Sequence, residues 1–149
     1  MSTSLVPHLN FRGEAREALE FYAGAFDGTV SIRTYGDFGM PAELPDAAKV
    51  VFGRVDGVDG FVVMAYDVPG ADSGTLQGGS TARENGLTIT DQPYFLALDT
   101  ATLDAAALRW SALSEGATVV EPLAASAWSA GFGMLTDRFG VTWAVSVTA

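Results

Sequence analysis

Trp128-Ser-Ala-Gly-Phe-Gly-Met-Leu-Thr-Asp-Arg-Phe-Gly-Val-Thr-Trp143 is the stretch that decides the fold. It reads as two antiparallel strands joined by a tight turn at Asp137-Arg138-Phe139-Gly140. An Asp at the first turn position bonds the backbone two residues on, and a Gly at the last supplies positive φ. Tryptophan and phenylalanine beside the turn suit a pleated, half-buried surface. The strands predicted are Gly131 to Thr136 and Val141 to Val147.

Working backwards from this hairpin, Thr118 to Leu123 reads as a strand. Before it, Leu103, Ala106, Ala107, Trp110 and Leu113 recur at helical spacing, with Asp99-Thr100 as N-cap and Glu115-Gly116 as stop. Tyr94 to Leu98 reads as the strand that leads in. The first half of the chain has the same order. Val6 to Phe11 reads as a strand, and Glu14 to Phe26 as a helix with Ala15, Ala18, Leu19, Tyr22 and Phe26 on one face. Asp27-Gly28 stops that helix, with Gly28 expected in the left-handed conformation. Thr29 to Tyr35, Lys49 to Val55 and Gly60 to Tyr66 follow as strands, with a turn-rich loop from Gly36 to Ala48. Each half is therefore strand–helix–strand–strand–strand, a repeat of element order rather than of residue identity. Neither half alone covers both faces of its sheet, so the two are expected to pair.

These elements predict one α+β domain over residues 1–149: module 1 from about 5 to 67, a linker over 68–92, and module 2 from 93 to 149. The linker is rich in Gly, Ser, Thr and Asp and reads as flexible chain, with a lid over a ligand as the functional alternative.

Of 149 residues, 48% are apolar, and the mean hydropathy is +0.23, so the chain can bury a sizeable core. The formal charge of −10 argues against nucleic acid and against anionic membrane surfaces. It fits a solubilising surface, or a cationic ligand. Cysteine is absent, which removes disulfides, thiolate metal sites and a cysteine nucleophile. The N-terminus lacks a basic region followed by an apolar run, and no apolar stretch reaches the roughly 18 residues that span a bilayer. The expectation is a cytoplasmic protein.

Two motifs carry a family resemblance. Phe11-Arg12-Gly13 is followed by Glu17-Ala18-Leu19-Glu20-Phe21-Tyr22 and Phe26-Asp27-Gly28 at the first helix, and the tail carries Phe132-Gly133-Met134-Leu135-Thr136-Asp137 with Phe139-Gly140. With these motifs the chain resembles the vicinal oxygen chelate superfamily of glyoxalase I, bleomycin-resistance proteins and extradiol dioxygenases. Within it the chain is similar to the PhnB-like (3-demethylubiquinone 3-methyltransferase-like) branch. The resemblance implies two βαβββ modules whose curved mixed sheets form a cup with helices outside, and commonly a homodimer. It also implies a divalent metal held by His and Glu on facing strands. The corresponding positions fall near Val6 or Pro7, at Val63, near Pro93 and at Ala144, none of which is a donor. His8, the single histidine, lies one or two residues from the first of them. No Gly-rich turn opens a helix after a strand, so no methyl-donor cofactor site is read, and no cofactor is expected. With one imidazole and no Gly-x-Ser-x-Gly, no catalytic group is identified.

Strand alternation then selects the side chains expected to line the cup. They are His8 and Asn10 beside Val6 on the first strand, Phe61, Val63 and Ala65 on the fourth, Phe95 and Ala97 on the fifth, and Thr142, Ala144 and Ser146 on the last, with Arg54 and Trp128 at the edges. Val62 and Met64 are expected to pack on the helix. The expected ligand set is thus His8, Asn10, Arg54, Phe61, Val63, Phe95, Trp128, Thr142 and Ala144, and no metal. This apolar, aromatic-edged pocket suits metal-independent binding of a small cationic or polar-aromatic molecule. A metal-dependent lyase, isomerase or dioxygenase of the same superfamily is the second reading, and a non-catalytic dimeric interaction module the third.

Overall fold

The computed structural model describes residues 2–70 and 79–148. The chain divides into two compact units, Met1–Leu76 and Gln77–Ala149. Each holds one βαβββ module, so the protein is α+β with an internal repeat of topology.

In the first unit β1 (His8–Phe11), α1 (Ala15–Ala25), β2 (Thr29–Thr34), β3 (Val50–Asp56) and β4 (Val62–Asp67) follow in order. The sheet order is β1-β4-β3-β2, with β1 parallel to β4 and the other pairs antiparallel. α1 lays Ala15, Ala18, Leu19, Tyr22 and Ala25 on this sheet, as their spacing requires. They meet Leu9 and Phe11 from β1, Val55 from β3, and Val63 and Ala65 from β4, all fully buried. The phase of β4 is thereby the reverse of the sequence expectation. Leu9 pairs with Ala65 and His8 with Met64, so Val63 and Ala65 face the helix while Met64 and Tyr66 share the opposite face with His8 and Asn10. Phe61 follows the helix side as well, stacking on Phe26 with ring centroids 3.6 Å apart.

One carboxylate ties this unit together. Asp67, at the end of β4 and 1% exposed, accepts from Gly13 N (2.7 Å), Ala15 N (3.0 Å) and Val50 N (2.9 Å). It therefore caps α1 from across the sheet, where Glu14 at the N-cap position makes no side-chain cap, and it anchors the start of β3. Tyr35 Oη donates to the Asp67 carbonyl at 2.6 Å, and burial pushes the Tyr35 phenol up from its ordinary range. At the helix's other end, Asp27 takes the left-handed conformation (φ 51°) in place of the expected Gly28. Gly28 is needed for space, since a Cβ there would lie 2.9 Å from the Asp56 carbonyl oxygen.

In the second unit β5 (Thr81–Glu84) and β6 (Leu87–Thr90) form a hairpin, followed by β7 (Leu96–Thr100), α2 (Leu103–Leu113), β8 (Thr118–Ala124), β9 (Phe132–Thr136) and β10 (Thr142–Val147). The sheet order β7-β10-β9-β8, with β7 parallel to β10, repeats the first module's pattern. Trp143 and Val145 sit buried on the α2 side, paired with Leu96 and Leu98. The N-cap of α2 is Thr102, whose Oγ1 accepts from Ala105 N at 3.1 Å; β7 continues through Thr100 and displaces the expected Asp99-Thr100 cap by two residues. Gly133 in β9 and Gly53 in β3 hold the same place in their sheets. A Cβ at Gly133 would lie 2.8 Å from the Trp110 ring, and one at Gly53 would collide with Leu19. Both modules use a glycine to let the helix approach its sheet.

The tail turn is built as its sequence reads. Asp137 Oδ1 accepts from Phe139 N (2.8 Å) and Val141 N (3.1 Å), Oδ2 accepts from the Trp143 indole (2.9 Å), and Gly140 has φ 86°. The hairpin β5–β6 corrects the expectation of flexible chain over 68–92. Asn85 (φ 52°) and Gly86 (φ 78°) form its two-residue turn, the Asn-Gly pairing such turns favour. The part of that linker at 71–78 lies outside the described residues. Among the described residues no helix is long and apolar enough to cross a membrane.

Asp67→Ala should leave three backbone N–H groups without their acceptor and cost about 2–4 kcal/mol, read as a lower urea midpoint at unchanged m-value. Glu14 gives a pH signature. Its Oε1 is buried without a partner, and burial raises its carboxyl above the ordinary value of 4.5, with the Asp67 and Glu17 charges adding and the Arg12 backbone N–H opposing. A raised carboxyl binds its proton more tightly in the folded state. The associated stability is thus full at low pH and is lost as pH rises through the carboxylate range. Glu14→Gln should therefore match the parent's melting temperature at pH 4 and exceed it at pH 7; an equal offset at both would contradict this.

Candidate functional site

Each sheet has one face without a helix, and the two such faces differ. In module 1, Ser31, Arg54, Met64 and His8 pair across the sheet in one row. His8 contacts Asn10 (Nδ1 to Oδ1, 3.2 Å) and sets its ring edge-on to Tyr66 at 5.3 Å. Arg54 Nε donates to both Asp56 carboxylate oxygens at 3.1 and 3.0 Å. The structure thus brings together His8, Asn10 and Arg54, and adds Tyr66 together with Met64, which the sequence reading of β4 had turned to the helix. Phe61 and Val63 leave the set for the helix side.

In module 2 the helix-free face is occupied by the protein's own hairpin. Its inward residues meet the sheet one by one. Arg83 Nε donates to Glu121 Oε1 at 3.3 Å, and its guanidinium lies 5.0 Å from the centre of the Phe132 ring. Arg83 Nη1 donates to Thr88 Oγ1 at 2.9 Å, and Thr88 Oγ1 donates to Met134 Sδ at 3.7 Å. A hydroxyl relay completes the seam. Thr142 and Thr81 both donate to Gln92 Oε1, Thr142 at 2.7 Å, and Thr142 and Thr136 share a bond of 2.8 Å. Met134 is consequently 1% exposed although it pairs with Ala144 on the side away from α2. Thr142, expected to offer its hydroxyl to a ligand, is 3% exposed and spends it here. Ser146 likewise donates to Asp99 at 2.6 Å. Ala144 and Ala97 do share the helix-free face, and Phe95 is half-buried beside them.

Past the end of the hairpin the seam opens into a groove of about 540 Å³. Phe132, Pro122 and Ala124 give it an apolar lining, the Arg83–Glu121 pair forms its polar corner, and the exposed Trp128 also lines it. Trp128 is 94% exposed, and a short hydrogen-bonded loop fixes the backbone that carries its indole. In that loop Ser126 Oγ accepts from Trp128 N (3.2 Å), Ser129 Oγ accepts from Gly131 N (3.1 Å), and Ser126 N donates to Ser129 O (2.8 Å). Of the residues the sequence selected, Trp128 alone lines this groove. Arg83, Glu121 and Phe132 went unselected. The signal that could have found Arg83 was the turn Glu84-Asn85-Gly86-Leu87 between alternating strands.

Among the described residues no three His, Cys, Asp or Glu side chains gather in a group able to hold a metal ion. The donor set therefore does not fit the chelate that the resemblance implies.

Comparison with known proteins places these observations in a family. The family model described as Glyoxalase/Bleomycin resistance protein/Dioxygenase superfamily matches residues 6–145. The Mycobacterium bovis protein Mb0911c is 32% identical over 142 residues, covering 95% of this chain and 81% of that one. The crystal structure of PA1353 from Pseudomonas aeruginosa superposes with a TM-score of 0.74 at 32% identity over 98% of both chains. The Bacillus cereus PhnB protein shares the fold, with a TM-score of 0.67 at 23% identity over 98% of this chain and 100% of that one.

If Arg83 pins the hairpin, Arg83→Ala should speed amide exchange over Thr81–Thr90 by about three- to tenfold, the worth of a partly exposed ion pair and its stacking. Exchange in β9 and β10 should not change. Hydrogen-exchange mass spectrometry checks this, and uniform loosening of the whole unit would contradict it.

Proposed function

The chain belongs to the Glyoxalase/Bleomycin resistance protein/Dioxygenase superfamily, and from that membership we propose that it is a metal-independent binding protein for a small, partly aromatic organic molecule. The observation that carries the reading is the groove beside the hairpin. Its volume lies within the roughly 300–1,000 Å³ range of small-molecule sites, and it combines an exposed indole, a half-buried phenyl ring and a few polar groups. The groove's carboxylate, Glu121, is engaged by Arg83, and neither a second carboxylate nor an imidazole lines it.

Binding would work by burial of aromatic surface against Trp128 and Phe132, with orientation set by the Arg83 corner. Trp128 suits this role because an indole has few rotamers to lose when a ring stacks on it. The helix-free face of module 1 offers polar contacts, but its Arg54 is already engaged by Asp56 and its His8 by Asn10.

A thermal-shift screen of one- and two-ring aromatics should give at least one stabilising compound, worth about 2.7 kcal/mol at a hundredfold excess over Kd. Trp128→Ala should abolish that shift without moving the unliganded melting temperature, while His8→Ala with Asn10→Ala should preserve it. The reverse pattern would relocate the site to module 1. Stoichiometric zinc, nickel, iron or manganese in the purified protein would overturn metal independence.

A further inference from the structure

The groove's polar lining is one-sided, and this asymmetry identifies what the ligand must carry. Ser126 Oγ and Ser129 Oγ each accept a backbone N–H, and neither hydroxyl donates to any described residue. Both hydroxyls therefore keep an O–H in the groove lining that can turn toward a bound acceptor. Arg83 adds a third donor. Its Nε is taken by Glu121 and its Nη1 by Thr88, while Nη2 has no acceptor among the described residues. Phe132 beneath the guanidinium and Glu121 beside it fix the plane of that fork, so the free edge is held in place. The acceptor side of the ledger is short: Glu121 is the one carboxylate in the lining, and it faces Arg83.

We propose that the groove recognises a planar aromatic carboxylate, its ring against Trp128 and its carboxylate oxygens taking the free donors of Arg83, Ser126 and Ser129. The assignment rests on the binding reading above and goes beyond it to the ligand's chemical class. A bound carboxylate answers all three donors, and bonds to an ionised acceptor are the stronger kind. A bound ammonium would compete with Arg83 for Glu121 and leave the Arg83 Nη2 donors facing a group that accepts nothing, which is the more costly outcome once water is displaced. The chain's net charge of −10 points the other way, toward a cation. It acts at a distance, however, and is screened beyond about 8 Å at physiological ionic strength, so contacts inside the groove decide selectivity.

The test is isothermal titration of the full-length protein with three probes of one shape: 2-naphthoate, 2-naphthylmethanol and 2-naphthylmethylammonium. The proposal expects 2-naphthoate to bind at least tenfold more tightly than either of the others. Arg83→Gln should remove that preference, bringing the affinities for 2-naphthoate and 2-naphthylmethanol to within twofold of each other. Because Arg83 also holds the hairpin, the paired change Ser126→Ala and Ser129→Ala provides a second check, and it should narrow the preference for 2-naphthoate over 2-naphthylmethanol by at least threefold, a ratio that loosening of the loop alone would not move. Tighter or equal binding of the ammonium probe overturns the carboxylate assignment while the binding function stands. So does 2-naphthoate affinity that ignores both variants. Absence of binding by all three probes overturns the assignment, and the groove as an aromatic site falls with it.

Discussion

Asp137 sits inside the tail hairpin with three N–H donors aimed at its two oxygens, and most of the second module follows from that arrangement. A buried carboxylate this fully satisfied fixes the turn and, through the Trp143 indole, the phase of β10 against α2. Once Trp143 and Val145 face the helix, pairing places Leu135 and Gly133 with them and turns Phe132 and Met134 to the other side. That side needs a cover, and the hairpin β5–β6 supplies it. The groove is what the cover leaves open. Asp67 plays the matching part in the first module, where a single carboxylate joins a helix N-terminus to the ends of two strands. The two modules share topology, but each invented its own carboxylate lock at a different point of the repeat.

The hairpin's polarity is the unusual feature of this chain. It presents Arg83 and a set of threonines to the sheet and leaves Leu87 and Ile89 to solvent, 67% and 52% exposed. A hairpin held by hydrogen bonds and one ion pair is more easily displaced than one held by hydrocarbon, because water can replace each contact it loses. It also delivers a fixed guanidinium to the rim of a groove in a protein with few cations. The same residues thus close the sheet and furnish the groove's polar corner.

How much of this was legible depended on how local the chemistry was. The tail turn could be read because Asp137 bonds residues two and four places away, so its whole mechanism lies within one short stretch. The helix faces could be read because a period of 3.6 is visible in Ala15, Ala18, Leu19 and Tyr22. β4 could not be phased, since Val62-Val63-Met64-Ala65 is apolar at every position and offers no alternation. Its face is set by pairing with β1, more than fifty residues away in sequence. The hairpin's Asn-Gly turn was present in the sequence but was masked by surrounding Gly, Ser and Thr that read as linker. The groove as a whole was not legible. It is created when Arg83 meets Glu121 and Phe132, which no local pattern announces. The aromatic Trp128, chosen for its place beside the tail strand, was the one residue of the groove visible from the sequence.

The indole N–H resonances of the three tryptophans test the account most directly, because they report the lock and the groove in one spectrum. Trp143, donating to buried Asp137, should exchange slowly with deuterium and hold its position during titration with 2-naphthoate. Trp128, almost wholly exposed, should exchange at once and shift progressively as ligand is added. A Trp143 signal that exchanges freely, or a Trp128 signal that stays fixed through the titration, would contradict it.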